Sequence, residues 1–196
     1  MTTRRTFIRI AASAAVPAVP LQAASPTGAS KPRRELGAVI IDGDHTAARS
    51  FGDRFSDQGS PVLSIHEGDV TASWLGHIRP MWSQRRASVA GLTTPAALFC
   101  LEQLAWQHGL RVVFHAEHVL LPDGRLDHQV QRDPQMTRLT ASNLLRAGTR
   151  WPVRLAEAMA TRSATSARRP GPSIAALQPQ LPEGATLLTS WIIAAA

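Results

Sequence analysis

The stretch Leu36-Gly37-Ala38-Val39-Ile40-Ile41-Asp42-Gly43-Asp44-His45-Thr46 decides the fold class. Its first six residues form a short apolar run without alternation, the pattern of a strand buried on both faces, and such strands belong to sheets covered by helices on both sides. The next segments agree with this. Thr46 to Gln58 carries Ala47, Ala48, Phe51 and Phe55 at helical spacing, and Gly59 is placed to end the helix. Val62-Leu63-Ser64-Ile65 reads as a second strand, and Asp69 can cap a helix with Val70, Trp74 and Ile78 on one face until Pro80 breaks or kinks it.

Further along, Ser88-Val89-Ala90-Gly91-Leu92 is a third strand, and Thr94-Pro95 starts a helix that is apolar almost all round to His108, which makes it the helix expected to be most buried. Arg111 to Ala116 is a fourth strand. Leu121-Pro122-Asp123-Gly124-Arg125-Leu126 reads as a hairpin turn leading into a returning strand through Val130. This alternation predicts right-handed crossovers and an α/β fold: a small three-layer domain over 36–162 with a mainly parallel sheet of four to five strands. Two helices, Thr140–Ala147 and Pro152–Thr161, follow, then a disordered linker over 163–185 that is rich in Ser, Ala, Arg and Pro. Residues 186–196 are an apolar strand that returns to the sheet edge or a docking tail. Trp74 and Trp82 are expected in the core, and Trp151 and Trp191 at an interface.

Composition fits that plan: 196 residues, 44% hydrophobic and 18% charged, are one modest domain plus tails. No apolar run reaches the roughly 18 residues that span a bilayer, so no transmembrane segment is expected in the mature chain. Lone Cys100, between Phe99 and Leu101, is expected to be a buried small hydrophobe. The net charge of +7 is concentrated outside the core: Arg4, Arg5 and Arg9 precede any acid, and Lys31, Arg33 and Arg34 cluster ahead of the first strand. There is no basic stripe interleaved with aromatics, so a nucleic-acid partner is not expected.

The N-terminus carries the clearest signal. In Thr3-Arg4-Arg5-Thr6-Phe7-Ile8-Arg9 an arginine pair precedes an apolar residue and a further base; Ile10 to Val19 is then small and apolar, and Ala23 to Ala29 offers small residues to a peptidase. This resembles a bacterial twin-arginine (Tat) signal peptide over residues 1–24, with Arg4, Arg5 and Phe7 as its recognition residues and 25–35 as a flexible linker. The resemblance implies engagement of the Tat translocase, transport of a folded cargo and a periplasmic location.

Chemistry is expected at the carboxyl ends of the strands, where open parallel sheets bind ligands. Those ends are Asp42-Gly43-Asp44-His45, His66-Glu67-Gly68-Asp69, Thr93-Thr94 and His115-Ala116-Glu117-His118, which converge on one rim if the four strands are parallel. A strand followed by Asp-x-Asp-x-Thr resembles the first motif of haloacid dehalogenase-like phosphohydrolases. The resemblance implies Asp42 as nucleophile, Asp44 as acid/base, Thr93 as the hydroxyl that orients the phosphoryl group, Glu117 in the acidic motif, and Mg²⁺ between the carboxylates. The family's lysine has no counterpart, because the sole Lys31 lies ahead of the first strand, and Arg79, Arg85 or Arg86 would have to replace it. A metal site would draw on His45, His66, His115 and Glu117; strand alternation puts His115 and Glu117 on one face and His118 on the other. No Gly-rich phosphate loop or Gly-x-Ser-x-Gly elbow is present, and the sequence assigns no cofactor. Three readings follow: an exported binding or accessory protein serving a cofactor-bearing protein partner in the periplasm, a Mg²⁺-dependent phosphohydrolase, or a periplasmic metal-binding protein.

Overall fold

The computed structural model describes residues 36–131, 139–161 and 181–195. The expected signal peptide, the linker over 25–35 and most of the linker over 163–185 lie outside the described residues. In chain order the elements are β1 (Ala38–Asp42), α1 (Thr46–Ser56), β2 (Val62–Ile65), α2 (Thr71–Ser73), a π-turn (Trp74–Ile78), α3 (Arg79–Arg85), β3 (Val89–Thr93), α4 (Pro95–Trp106), β4 (Leu110–Leu120), β5 (Leu126–Val130), α5 (Ala141–Ala147), a 3₁₀ turn (Gly148–Arg150), α6 (Trp151–Ala160) and β6 (Thr186–Ala195). No helix among the described residues is long and apolar enough to cross a membrane.

The strands form one six-stranded sheet in the order β2-β1-β3-β6-β4-β5. The α/β class holds, but the sheet is mixed, with one strand more than expected. β1 pairs in parallel with β2 and β3, whereas β6 runs antiparallel to both β3 and β4, and β4 antiparallel to β5. The apolar run at 186–195, expected at the sheet edge or as a tail, occupies the slot between β3 and β4. Its residues Leu188 to Ala194 are buried, Thr189 and Ser190 among them, as in a strand covered on both faces.

Two hydrophobic layers sandwich the sheet. On one face α1, α5 and α6 pack Phe51, Phe55, Leu144, Trp151, Leu155 and Met159 onto Val39, Leu92, Phe114 and Ile192. On the other, the α2–α3 run and α4 pack Ile78, Trp82, Leu98 and Leu101 onto Ile40, Val89, Leu110, Trp191 and Ile193. A bulge between Val112 and Phe114 swaps the faces of β4: Leu110 and Val112 belong to the α4 side, Phe114 and Ala116 to the α6 side. Trp151 and Trp191, expected at an interface, are therefore both core residues, at 2% and 0% exposure.

Three other local expectations change. Of the break or kink expected at Pro80 the break does not occur: the Arg79 amide reaches back to the Trp74 carbonyl in a π-turn just before it, and that wider turn makes room for a ring with no N–H. The apolar helix α4 buries one stripe only: Phe99 and Trp106 remain 46% and 41% exposed, and the Arg111 guanidinium lies 5.8 Å from the Trp106 ring centre. Cys100 sits on that outer face and is exposed, not buried.

Candidate functional site

The chain leaves β1 through α1 toward β2 on one face and leaves β3 through α4 toward β4 on the other. The crevice outside the carboxyl ends of β1 and β3 is therefore a topological switch point, the place where open sheets of this kind bind ligands. Asp42 closes β1 there and is 1% exposed. Its Oδ1 accepts the Asp44 N–H at 3.2 Å. Asp44 bridges outward to the next loop: its Oδ1 lies 2.8 Å from His66 Nδ1, and its Oδ2 accepts the Glu67 N–H at 2.7 Å. The Glu67 amide first, and the His66 ring next, hold the Asp44 carboxyl below the ordinary range.

This bridge shapes the backbone. Glu67 sits at φ 52° although it is not glycine, a conformation that costs of order 1 kcal/mol and here places its N–H on Asp44. Gly43 has no room for a side chain, because a Cβ would overlap Ser64 Oγ and lie 2.7 Å from His66 Cε1. His45 is half-buried at the N-cap of α1 without a side-chain cap bond. His66, Glu67 and Asp69 are exposed, and Asp69 accepts the Thr71 N–H at 2.8 Å, as a helix-starting carboxylate does.

Thr93 closes β3 beside Asp42 and is buried. Its hydroxyl accepts the Trp191 indole N–H at 3.0 Å and donates to the Thr94 carbonyl at 3.1 Å, so both of its roles are engaged. The Thr189 hydroxyl donates to the Thr93 carbonyl at 3.3 Å. In register, Thr93 faces Thr189 and Thr189 faces Glu117, so a polar row crosses the α4 side of the sheet from Asp42 to Glu117. Strand spacing puts about 14 Å between the two ends of that row.

The insertion of β6 is the reason the expected sites do not assemble. Asp42, Asp44 and Thr93 come together at the switch point, with His66 and His45 beside them. Glu117 and His115 are carried away on β4, and they lie within the strand instead of at its end. The metal set His45, His66, His115 and Glu117 is therefore split, and among the described residues no group of three or more His, Cys, Asp or Glu could hold a metal ion. Burial raises the Glu117 carboxyl and lowers His115 to about 4, and His115 Nε2 is buried with no hydrogen-bond partner among the described residues.

A second polar cluster went unread in the sequence. On the α6 side, His118 Nδ1 lies 2.8 Å from His128 Nδ1 and His118 Nε2 lies 2.9 Å from Ser190 Oγ. Trp151 covers both rings, at 4.5 and 5.0 Å between centres. A hydrogen bond between two Nδ1 atoms makes one ring the donor and the other the acceptor. Burial lowers both rings; the neighbouring His128 and His115 add to this for His118, whereas Asp127 opposes it for His128.

The sign of the pH effect follows. A histidine depressed in the fold leaves the unfolded chain binding more protons, so its stability contribution is complete above the ordinary value of 6.5 and is lost as pH falls below it. Each such histidine removes about 1.4 kcal/mol per pH unit between its unfolded and folded values. Urea unfolding at pH 7.5 and pH 5.5 is expected to show a clear loss of stability at the lower pH, and His118→Asn is expected to flatten that slope. An equal slope in the variant would remove this pair from the account.

Comparison with protein-family models, with curated proteins and with solved structures finds no match to this chain.

Proposed function

We propose that this chain is an exported binding protein that crosses the membrane already folded, by the twin-arginine route, and serves a protein partner in the periplasm as an accessory subunit. Arg4, Arg5 and Phe7 followed by the small apolar stretch supply the export reading. The observation that carries the folded-cargo part is the place of β6. The sheet cannot close until residues 186–195 have been made, because they separate and pair with β3 and β4. A chain built this way completes its core only after residues 186–195 have been synthesised, which suits a route that takes folded proteins and not one that threads an extended chain.

The binding reading rests on the rim. Asp42, Asp44 and Thr93 are engaged in joining β1, the loop after β2, β3 and β6, which gives a braced surface on which His45, His66 and Thr94 are presented. Preorganised polar groups of this kind favour binding because little ordering is left to do. Replacing the pair, Arg4→Lys with Arg5→Lys, is expected to abolish accumulation in the periplasmic fraction while the cytoplasmic protein remains folded. Equal periplasmic amounts of variant and wild type would overturn the export reading.

A further inference from the structure

We propose that the outer face of α4 is the contact through which two copies of this chain pair, antiparallel and about a two-fold axis. The proposal does not rest on the export reading. Ala96, Phe99, Cys100, Gln103, Trp106 and Gln107 recur at spacings of three and four, so they share one face of the helix. That face is turned to solvent: Phe99 and Trp106 are close to half exposed, and Cys100 is exposed. Two aromatic rings on one helix face, with no charge among the six residues, are the composition of an interface centre and not of a solvated surface. The one charged residue of α4, Glu102, is buried.

Three observations choose a second copy as the occupant. The first is charge. At the carboxyl end of α4 stand Arg86, whose Nη1 would lie 3.8 Å from a Cβ on Gly109, and Arg111, whose guanidinium lies 5.8 Å from the Trp106 ring centre. At the amino end stands the loop Glu67-Gly68-Asp69, where a Cβ on Gly68 would lie 3.4 Å from the hydroxyl of Thr94, the N-cap. Glu67, Asp69 and Arg86 are exposed, and among the described residues none of these four charged groups is in an ion pair. A neutral face with cations at one end and carboxylates at the other is complementary to itself once turned end for end.

The second is shape. A two-fold axis between Cys100 and Gln103, the middle of the stripe, sets Trp106 of each copy over Ala96 of the other copy, so each indole meets the smallest side chain of the face. The third is support. The inner side of α4 packs Leu98, Leu101 and Ala105 into the core, so the outer face is presented on a fixed helix and little ordering is left to do. Burial of the aromatic rings supplies the affinity, and the exposed charges at the ends set the direction of pairing.

The test is sedimentation equilibrium of the full chain, with cross-linking by a short bismaleimide through Cys100, the sole cysteine. A concentration-dependent dimer that cross-links is expected. Trp106→Glu is expected to weaken it by about a hundredfold and to prevent cross-linking, with the far-UV circular dichroism unchanged. Arg86→Glu is expected to weaken it by about tenfold, and adding Glu67→Arg to that variant to restore it. The Glu67 side chain can be exchanged because it is the N–H that is bonded to Asp44. The proposal is overturned if the full chain sediments as a monomer at every concentration, which would leave the face to a different protein. It is equally overturned if folded Trp106→Glu dimerises as wild type does, or if the charge exchange does not restore what Arg86→Glu loses.

Discussion

A chain lacking residues 186–195 is expected to have no cooperative unfolding transition and to aggregate. The reason lies in the strand order. Among the described residues β6 is the only strand that joins the β2-β1-β3 half of the sheet to the β4-β5 half, so its loss opens the edges of β3 and β4 together. Those edges would expose rows of unpaired amides and carbonyls on buried, apolar strands, a template for association. The core loses as much. Leu188 and Ile192 leave one hydrophobic layer, Trp191 and Ile193 the other, and each fully buried side chain of this size contributes about 1.5–3 kcal/mol. Their sum is comparable to the 5–15 kcal/mol net stability typical of a whole domain. Far-UV circular dichroism through a urea gradient and sedimentation of the same sample check this. A cooperative transition retained by the shortened chain would mean that the two half-sheets fold without their central strand.

The second large effect is expected at one atom. Gly91 on β3 lies directly opposite Trp191 on β6, and the indole ring lies over it. A Cβ on Gly91 would overlap Trp191 Cζ2, lie 2.5 Å from Cε2 and lie 2.9 Å from the Ile40 carbonyl oxygen. The ring cannot swing away cheaply, because its N–H is bonded to Thr93 Oγ1 and it is fully buried. Gly91→Ala is therefore expected to cost about 3 kcal/mol, at the upper end of what overpacking costs. Much of that cost belongs to the pair. In a Trp191→Leu background the same substitution is expected to cost clearly less, a coupling that a double-mutant cycle by urea denaturation measures. Additive costs would show that the indole is not the group that excludes the side chain. The same contact ties the fold to the rim, since displacing the indole also frees the Thr93 hydroxyl beside Asp42.

The order of elements was legible because periodicity is local. The strand at 38–42, the helix with Phe51 and Phe55 inward, and the hairpin turn before Leu126 all follow from spacing and turn residues that act within a few positions. Strand order was not legible. The apolar run around Trp191 has the same pattern at a sheet edge and at its centre, and nothing local distinguishes a partner a hundred residues away. That single misplacement carried the rest: with β6 in the slot, Glu117 moves one strand away from Thr93, and the converging rim is cut. Asp42, Asp44 and Thr93 stay near one another because they sit at the ends of β1 and β3, which do pair. His118 and His128 were within reach of the sequence, since a hairpin with Leu120 opposite Leu126 sets His118 opposite His128. Ser190 and Trp151 complete that cluster through tertiary packing, which spacing does not encode. Helix α4 misled for a related reason: an apolar composition all round signals burial, yet only one stripe of the helix finds the sheet.

The account turns on the claim that folding, completed by β6, comes before export. The most direct measurement is processing of pulse-labelled precursor and its recovery from the periplasm, for the full chain and for the chain without residues 186–195, both carrying Arg4 and Arg5. The full chain is expected to be cleaved and periplasmic, and the shortened chain to remain an uncleaved cytoplasmic precursor. Equal processing and equal periplasmic recovery of the two would contradict it, because a chain that cannot close its sheet would then have crossed as readily as one that can.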